Sequence, residues 1–150
     1  MNRRRRKKLS GRLVDAALLG DLAQVRALLR AGAPAETADS EGTTPLYQAA
    51  VHGDADIVRV LLAAGASPDT ESGTGSEGTP LCGAACWGHT EAVRALLEYG
   101  ADPNLREDHG TGWAPLDWAT RGPHPETAEL LVAAGARPGP HSAPTGPDNA

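Results

Sequence analysis

Three side chains stand at a spacing that could hold a metal ion. Cys82, Cys86 and His89 fall at i, i+4 and i+7, nominally one face of a helix. Two thiols and an imidazole suit zinc, but a structural zinc site takes four ligands. The helix that would carry these three should end near Trp87-Gly88, and no fourth donor is in register. The cysteines are better read as small buried apolar residues, and neither metal nor cofactor is expected. Other chemistry finds as little support. The glycine-rich stretch Gly73 to Gly78 is not followed by the Lys-Ser/Thr of a phosphate loop. Five histidines are scattered without triad spacing, and neither a nucleophile elbow nor an HExxH helix is present. The expectation is a chain that is not an enzyme.

A second cluster is electrostatic. Arg3, Arg4, Arg5, Arg6, Lys7 and Lys8 form one basic run in a chain of formal net charge −5. With that run set aside, 8 basic residues face 19 acidic ones, a balance of −11. Six adjacent cations can neutralise several phosphates and bind nucleic acid in a salt-dependent way, and such a run can also act as a nuclear-localisation signal. The acidic body would repel a duplex, however, and no groove-reading motif accompanies the run. The composition, rich in Ala, Gly, Arg and Pro and poor in Lys, suits a GC-rich coding sequence of a kind common in bacteria, which weighs against nuclear targeting. Nucleic-acid association or nuclear targeting through the arm is therefore the alternative reading. Residues 1–10 are expected to be a disordered basic arm because their like charges repel. They are not expected to begin a secretory signal, since the apolar stretch Leu13 to Gly20 is interrupted by Asp15 and followed by Asp21.

The elements that must position any site are legible in the rest of the composition. Aromatics are only 3% and Phe is absent. A core of Leu, Val and Ala suits close-packed helices better than a sandwich or barrel. Apolar runs such as Val60 to Ala64 are too short to cross a bilayer. Two cysteines fit a reducing compartment, so a cytoplasmic location is expected. Residues 139–150 are rich in Pro, Gly and Ser and are expected to be a disordered tail.

The chain repeats itself. Gly32-Ala33, Gly65-Ala66, Gly100-Ala101 and Gly135-Ala136 recur, each behind an apolar doublet: Leu28-Leu29, Leu61-Leu62, Leu96-Leu97 and Leu131-Val132. A second marker, Thr44-Pro45-Leu46, returns as Thr79-Pro80-Leu81 and Ala114-Pro115-Leu116, each followed by a small pair. Thr before Pro starts a helix, because the hydroxyl accepts an orphan amide and Pro is tolerated at the first helical position. The closing Gly can take the left-handed conformation that ends one. The paired alanines let two helices approach closely. No unit buries its apolar face alone, so the units must stack into a solenoid.

Thr-Pro-Leu, a short helix, Gly-Asp or Gly-His, the Leu doublet and Gly-Ala-Asp/Ser-Pro together resemble the ankyrin repeat. Four units are in register over about residues 11–138: 11–42, 43–77, 78–112 and 113–138. The resemblance implies an all-α repeat solenoid of helix-turn-helix units with β-hairpin fingers. It also implies a protein-binding role through the concave face lined by finger tips and inner helices. The segment from closing Gly to the Thr position spans 12 residues after Gly32 but 14 after Gly65 and Gly100, so both extra pairs lie in fingers. The finger Asp69 to Gly78 is rich in Gly and Ser and is expected to be mobile. Gln24 and Thr127 place polar residues at one outer-helix position of the end units, as exposed ends require. The fourth unit lacks a cap hydroxyl at Ala114 and has Pro123 closing its first helix, so it is expected to fray first.

On that frame, Tyr47, Val51, His52, Cys86, Trp87, Trp113 and Arg121 are the candidate partner contacts, with Glu41 at a finger tip; Trp118 is assigned to the core. Trp, Tyr and Arg are the commonest interface anchors. The fingers are acidic through Glu36, Asp39, Glu41, Asp69, Glu71, Glu77, Asp102, Glu107 and Asp108. A row of negative tips favours a basic peptide, and the chain's own arm could compete for it. The expected activity is that of a monomeric scaffold, adaptor or regulatory subunit binding an unidentified protein partner or a basic peptide, with no membrane association.

Overall fold

The computed structural model describes residues 2–74 and 77–141. Among them are nine helices and no strand: α1 (Arg3–Leu18), α2 (Leu22–Arg30), α3 (Pro45–Val51), α4 (Ala55–Ala63), α5 (Pro80–Cys86), α6 (Thr90–Glu98), α7 (Glu107–Gly110), α8 (Pro115–Arg121) and α9 (Pro125–Ala133). All but the single turn α7 pair into four antiparallel hairpins. The hairpins stack as two rows: α1, α3, α5 and α8 pack in sequence as the inner row, and α2, α4, α6 and α9 as the outer.

Local chemistry sets each boundary. Thr44 and Thr79 lie in extended backbone, and their hydroxyls accept the N–H of Tyr47 and Cys82, each at 3.2 Å, while Pro45 and Pro80 supply the fixed φ of the first turn. The outer helices end alike. Gly32, Gly65, Gly100 and Gly135 have φ of 92°, 101°, 88° and 99°. The N–H of the following Ala33, Ala66, Ala101 or Ala136 reaches back to Leu28, Leu61, Leu96 or Leu131 at 2.9–3.1 Å. That is a Schellman closure, and only Gly takes it without a Cβ penalty.

The core is a ladder of equivalent residues. Leu13, Leu46, Leu81 and Leu116 line the inner row, Leu28, Leu61, Leu96 and Leu131 the outer, and all are buried. Ala17, Ala49, Ala50, Ala84, Ala85 and Ala119 are fully buried between them, and this lets the rows approach. His89 and His124 add a polar staple between units. Each ring packs on the glycine of the preceding unit, Gly53 or Gly88, and its Nε2 lies 3.0 or 3.1 Å from the carbonyl of Val51 or Cys86.

Several expectations need correction. Residues 3–8 are not a disordered arm but the first turns of α1. Asn2 Oδ1 caps Arg5 N at 3.0 Å, Ser10 Oγ donates to Arg6 O at 3.0 Å, and Leu9 and Ser10 are buried. Adding turns to a helix already docked from Leu9 onward costs far less than nucleating one. The fingers are not β-hairpins, since no strand occurs among the described residues. Each is a loop closed by one backbone hydrogen bond: Asp39 N to Thr43 O, Ser72 N to Gly78 O, and Glu107 N to Trp113 O, each at 3.0 Å. The extra pairs in the second and third fingers fall inside these closures. Gly75 and Ser76, in the finger expected to be mobile, and residues 142–150 of the expected tail lie outside the described residues.

The fourth unit also differs from expectation. α8 is as long as α3 and α5, so Pro123 does not shorten it. Ala114 has no hydroxyl, but the start of α8 is tied by buried Asp117, whose Oδ2 accepts the Ala114 N–H at 2.9 Å. Thr127 is buried rather than exposed at the end, and its hydroxyl pairs with Thr90 Oγ1 at 2.9 Å. Pro123 occupies the place that Gly20, Gly53 and Gly88 hold at φ of 68–75°, a region closed to the proline ring. Pro123→Gly should therefore raise the thermal midpoint, measured by circular dichroism; an unchanged or lower midpoint would remove strain at this turn from the account.

Candidate partner-binding groove

The inner row and the fingers enclose a groove of about 260 Å³. Tyr47 comes from α3, Cys82, Gly83, Cys86 and Trp87 from α5 and its end, and Trp118 from α8; Glu77, Gly78, Glu107 and Asp108 come from the second and third fingers. Three aromatics and three carboxylates thus converge, and no Lys or Arg lines the space.

Two glycines let its walls close in. Gly83 sits inside a seven-residue helix, an unfavourable place for glycine. A Cβ there would approach Val51 Cγ2 to 2.8 Å and Tyr47 Cε2 to 3.2 Å. Gly78 lies against the Glu107 carboxylate, where a Cβ would collide with it. The third finger is held over the groove by its backbone carbonyls and by Arg106. The Cys82 thiol donates to Trp113 O at 3.6 Å, and Arg106 donates to Gly112 O at 2.8 Å and Thr111 O at 3.0 Å. Asp108 and His109 both take left-handed backbone, at φ of 49° and 54°, which turns this finger sharply.

Glu107 is the electrostatic centre. The Trp118 indole N–H donates to its Oε2 at 3.0 Å. Burial pushes its carboxyl pKa up, opposed by the Trp118 hydrogen bond and reinforced by Asp108 and Glu71. The same field reaches its neighbours. Tyr47 is raised first by burial and then by Glu77 and Glu107, and Cys82 and Cys86 first by burial and then by Glu107. These thiols are protonated and unreactive at neutral pH. Cys82, Cys86 and His89 do not converge on a metal site, and no metal-binding group of His, Cys, Asp or Glu occurs among the described residues. His89 is spent on the Val51 carbonyl.

The sequence-derived candidates divide into three sets. Tyr47, Cys86 and Trp87 line the groove, and Trp87 is 64% exposed. Val51 backs Gly83, while His52 is exposed with Nδ1 2.8 Å from Gln48 O. Glu41 is exposed on the first finger, outside the groove. Trp113 and Arg121 do not join the groove lining: the guanidinium lies 5.0 Å over the Trp113 ring, which also meets Trp118 at 4.5 Å and stacks on His141 at 5.2 Å. They cover the end of the stack. Trp118, assigned to the core, packs against it and also bridges that cluster and the groove.

The acidic finger residues are largely engaged with one another's units. Glu36 accepts the Thr70 hydroxyl at 2.8 Å and Glu77 those of Thr43 at 2.8 Å and Ser72 at 2.6 Å. Asp69 accepts Asp102 N at 3.0 Å, and Glu71 meets His109 Nδ1 at 3.1 Å. Asp39 and Asp102 close their own turns on Thr43 N and Asn104 N. Sequence reasoning does not identify Gly78, Gly83 and Trp118 as part of the groove. The signal that could have done so is a glycine within a short helix, at the position occupied by Gln48 and Trp118 in the neighbouring units.

A family model described as ankyrin repeats, in three copies, matches residues 13–107 and 71–141. The chain belongs to the ankyrin repeat family. The two matches overlap because the stack is longer than three copies, and together they cover the body of the fold. Ankyrin repeats are protein-interaction modules and typically are not enzymes. No curated protein matches the chain, and no described helix of this ankyrin stack is long and apolar enough to cross a membrane.

The raised Glu107 pKa fixes a sign. A carboxyl whose folded pKa lies above its unfolded value contributes stability when protonated, and loses it as pH rises from the unfolded value through the folded one. Glu107→Gln keeps an acceptor for Trp118 and removes the charge. The variant should therefore be at least as stable as the native chain at pH 7, with the difference closing below the ordinary carboxylate range. Urea unfolding at several pH values measures this, and a variant less stable at pH 7 than at pH 4, relative to the native chain, would contradict the assignment.

Proposed function

We propose that this ankyrin stack is a binding module that takes a basic segment of a protein partner in the groove over α3, α5 and α8. The observation that carries the reading is the convergence of Tyr47, Trp87 and Trp118 with Glu77, Glu107 and Asp108 in a space with no basic residue. Exposed Trp87 offers the large rigid surface typical of an interface anchor, and the uncompensated carboxylates steer and orient cations. The chain acts by binding rather than by catalysis, as a monomeric adaptor, scaffold or regulatory subunit in the cytoplasm.

Calorimetry with an arginine-rich hexapeptide and its all-glutamine counterpart tests this. The basic peptide should bind, the glutamine peptide should not, and Trp87→Ala should weaken binding about tenfold or more, the loss of about 1.4 kcal/mol. Equal binding to both peptides, or no effect of Trp87→Ala, would overturn the proposal. A protein that ignores the peptides yet is retained on heparin through Arg3 to Lys8 would favour the polyanion reading of the basic run.

A further inference from the structure

We infer that the groove holds a pocket for one arginine side chain of the partner, its guanidinium received by Glu107 and Glu77 and its stem laid against Tyr47 and Trp87. The inference deepens the proposed function and rests on it.

The size of the space narrows the ligand first. About 260 Å³ lies below the roughly 300–1,000 Å³ of pockets that bury drug-sized molecules, and suits a single long side chain. Two of its lining residues are glycines, and their bare backbone lets the walls come close. A Cβ at Gly83 would meet Val51 and Tyr47, and one at Gly78 would meet the Glu107 carboxylate. The floor is thus formed where α3, α5 and the third finger come closest.

The walls narrow it further. Glu77 and Glu107 come from successive fingers, so acidic residues line the space from two elements. Each already accepts hydrogen bonds, Glu77 from Thr43 and Ser72 and Glu107 from Trp118, and these hold the carboxylates in place. A carboxylate has about four lone-pair sites, so both retain acceptor capacity. A planar fork of five donors matches two such acceptors, and its face stacks on indole and phenol rings. An ammonium is a compact, strongly hydrated point charge that gains less from the flat walls. A metal ion would want more oxygen ligands and no aromatic wall. Glu107 is poised for such a partner, because its charge is partly desolvated and no cation lines the groove to offset it.

The three tryptophans provide the readout. In a proton–nitrogen correlation spectrum of the full chain, the indole N–H signals of Trp87 and Trp118 should shift saturably with N-acetyl-arginine methylamide, while that of Trp113 should not. The uncharged isostere N-acetyl-citrulline methylamide should shift none of them, and the lysine analogue should bind at least threefold more weakly. Glu107→Gln should weaken the arginine effect about tenfold or more in a spectrum that is otherwise dispersed as in the native chain. Trp87→Ala, at an exposed position, provides a second variant with the same expectation. No saturable shift, equal shifts with citrulline, or lysine binding as tightly as arginine would overturn the pocket. If the basic hexapeptide still binds under any of those outcomes, the groove reading survives and the arginine pocket alone is lost. If the hexapeptide also fails to bind, both are lost.

Discussion

A helical hairpin built from leucine and alanine has two apolar sides and can cover only one. Everything else in this structure depends on that shortage. Leu61 and Val58 are fully buried because α4 is covered by α2 on one side and α6 on the other. The stack therefore behaves as a one-dimensional array in which each unit is stabilised by its neighbours. Its ends need special treatment. At one end α1 extends by two charged turns beyond its buried core; at the other, Trp113, Arg121, Trp118 and His141 pile over the final hairpin.

The fingers follow the same repeat with polar chemistry. Glu36, Asp69 and Asn104 occupy one position in successive units, and each accepts a hydrogen bond from the next unit: from the Thr70 hydroxyl, Asp102 N and Arg137 N at 2.8, 3.0 and 2.9 Å. This ladder fixes the spacing of the fingers much as alanine fixes the spacing of the helices. It also gives several acidic residues a structural role without cancelling their charge, so the finger side of the stack stays negative. The two lengthened fingers place Glu77, Glu107 and Asp108 beside the aromatic side chains of the inner helices. Structural ladder and candidate site are thus built from the same loops.

The repeat was legible in the sequence because each marker does one physical thing. Thr and Pro start a helix, Gly-Ala ends one, and Leu and Ala fill the space between. The unit boundaries, the inner and outer helices and the placing of the extra residues in fingers all follow. What was not legible depends on contacts between units. Trp113 and Arg121 have the composition of interface anchors, yet they meet each other across α8, and spacing alone does not reveal that. Asp117 ties down the start of α8 by reaching back three residues to the Ala114 N–H, a contact that the absent hydroxyl conceals. The charge run in residues 3–8 argued for disorder, but the docked turn behind it outweighed the repulsion. In the groove, Tyr47, Cys86 and Trp87 were readable from register, whereas Gly78 and Gly83 act through the close approach they allow and Trp118 through the contacts it bridges.

Native-state hydrogen exchange of the full chain tests mutual stabilisation by neighbours most directly. The account predicts the slowest amide exchange in α3 to α6, which have neighbours on both sides, and faster exchange toward α1 and α9. Uniform protection along the chain, or protection highest in an end unit, would contradict it.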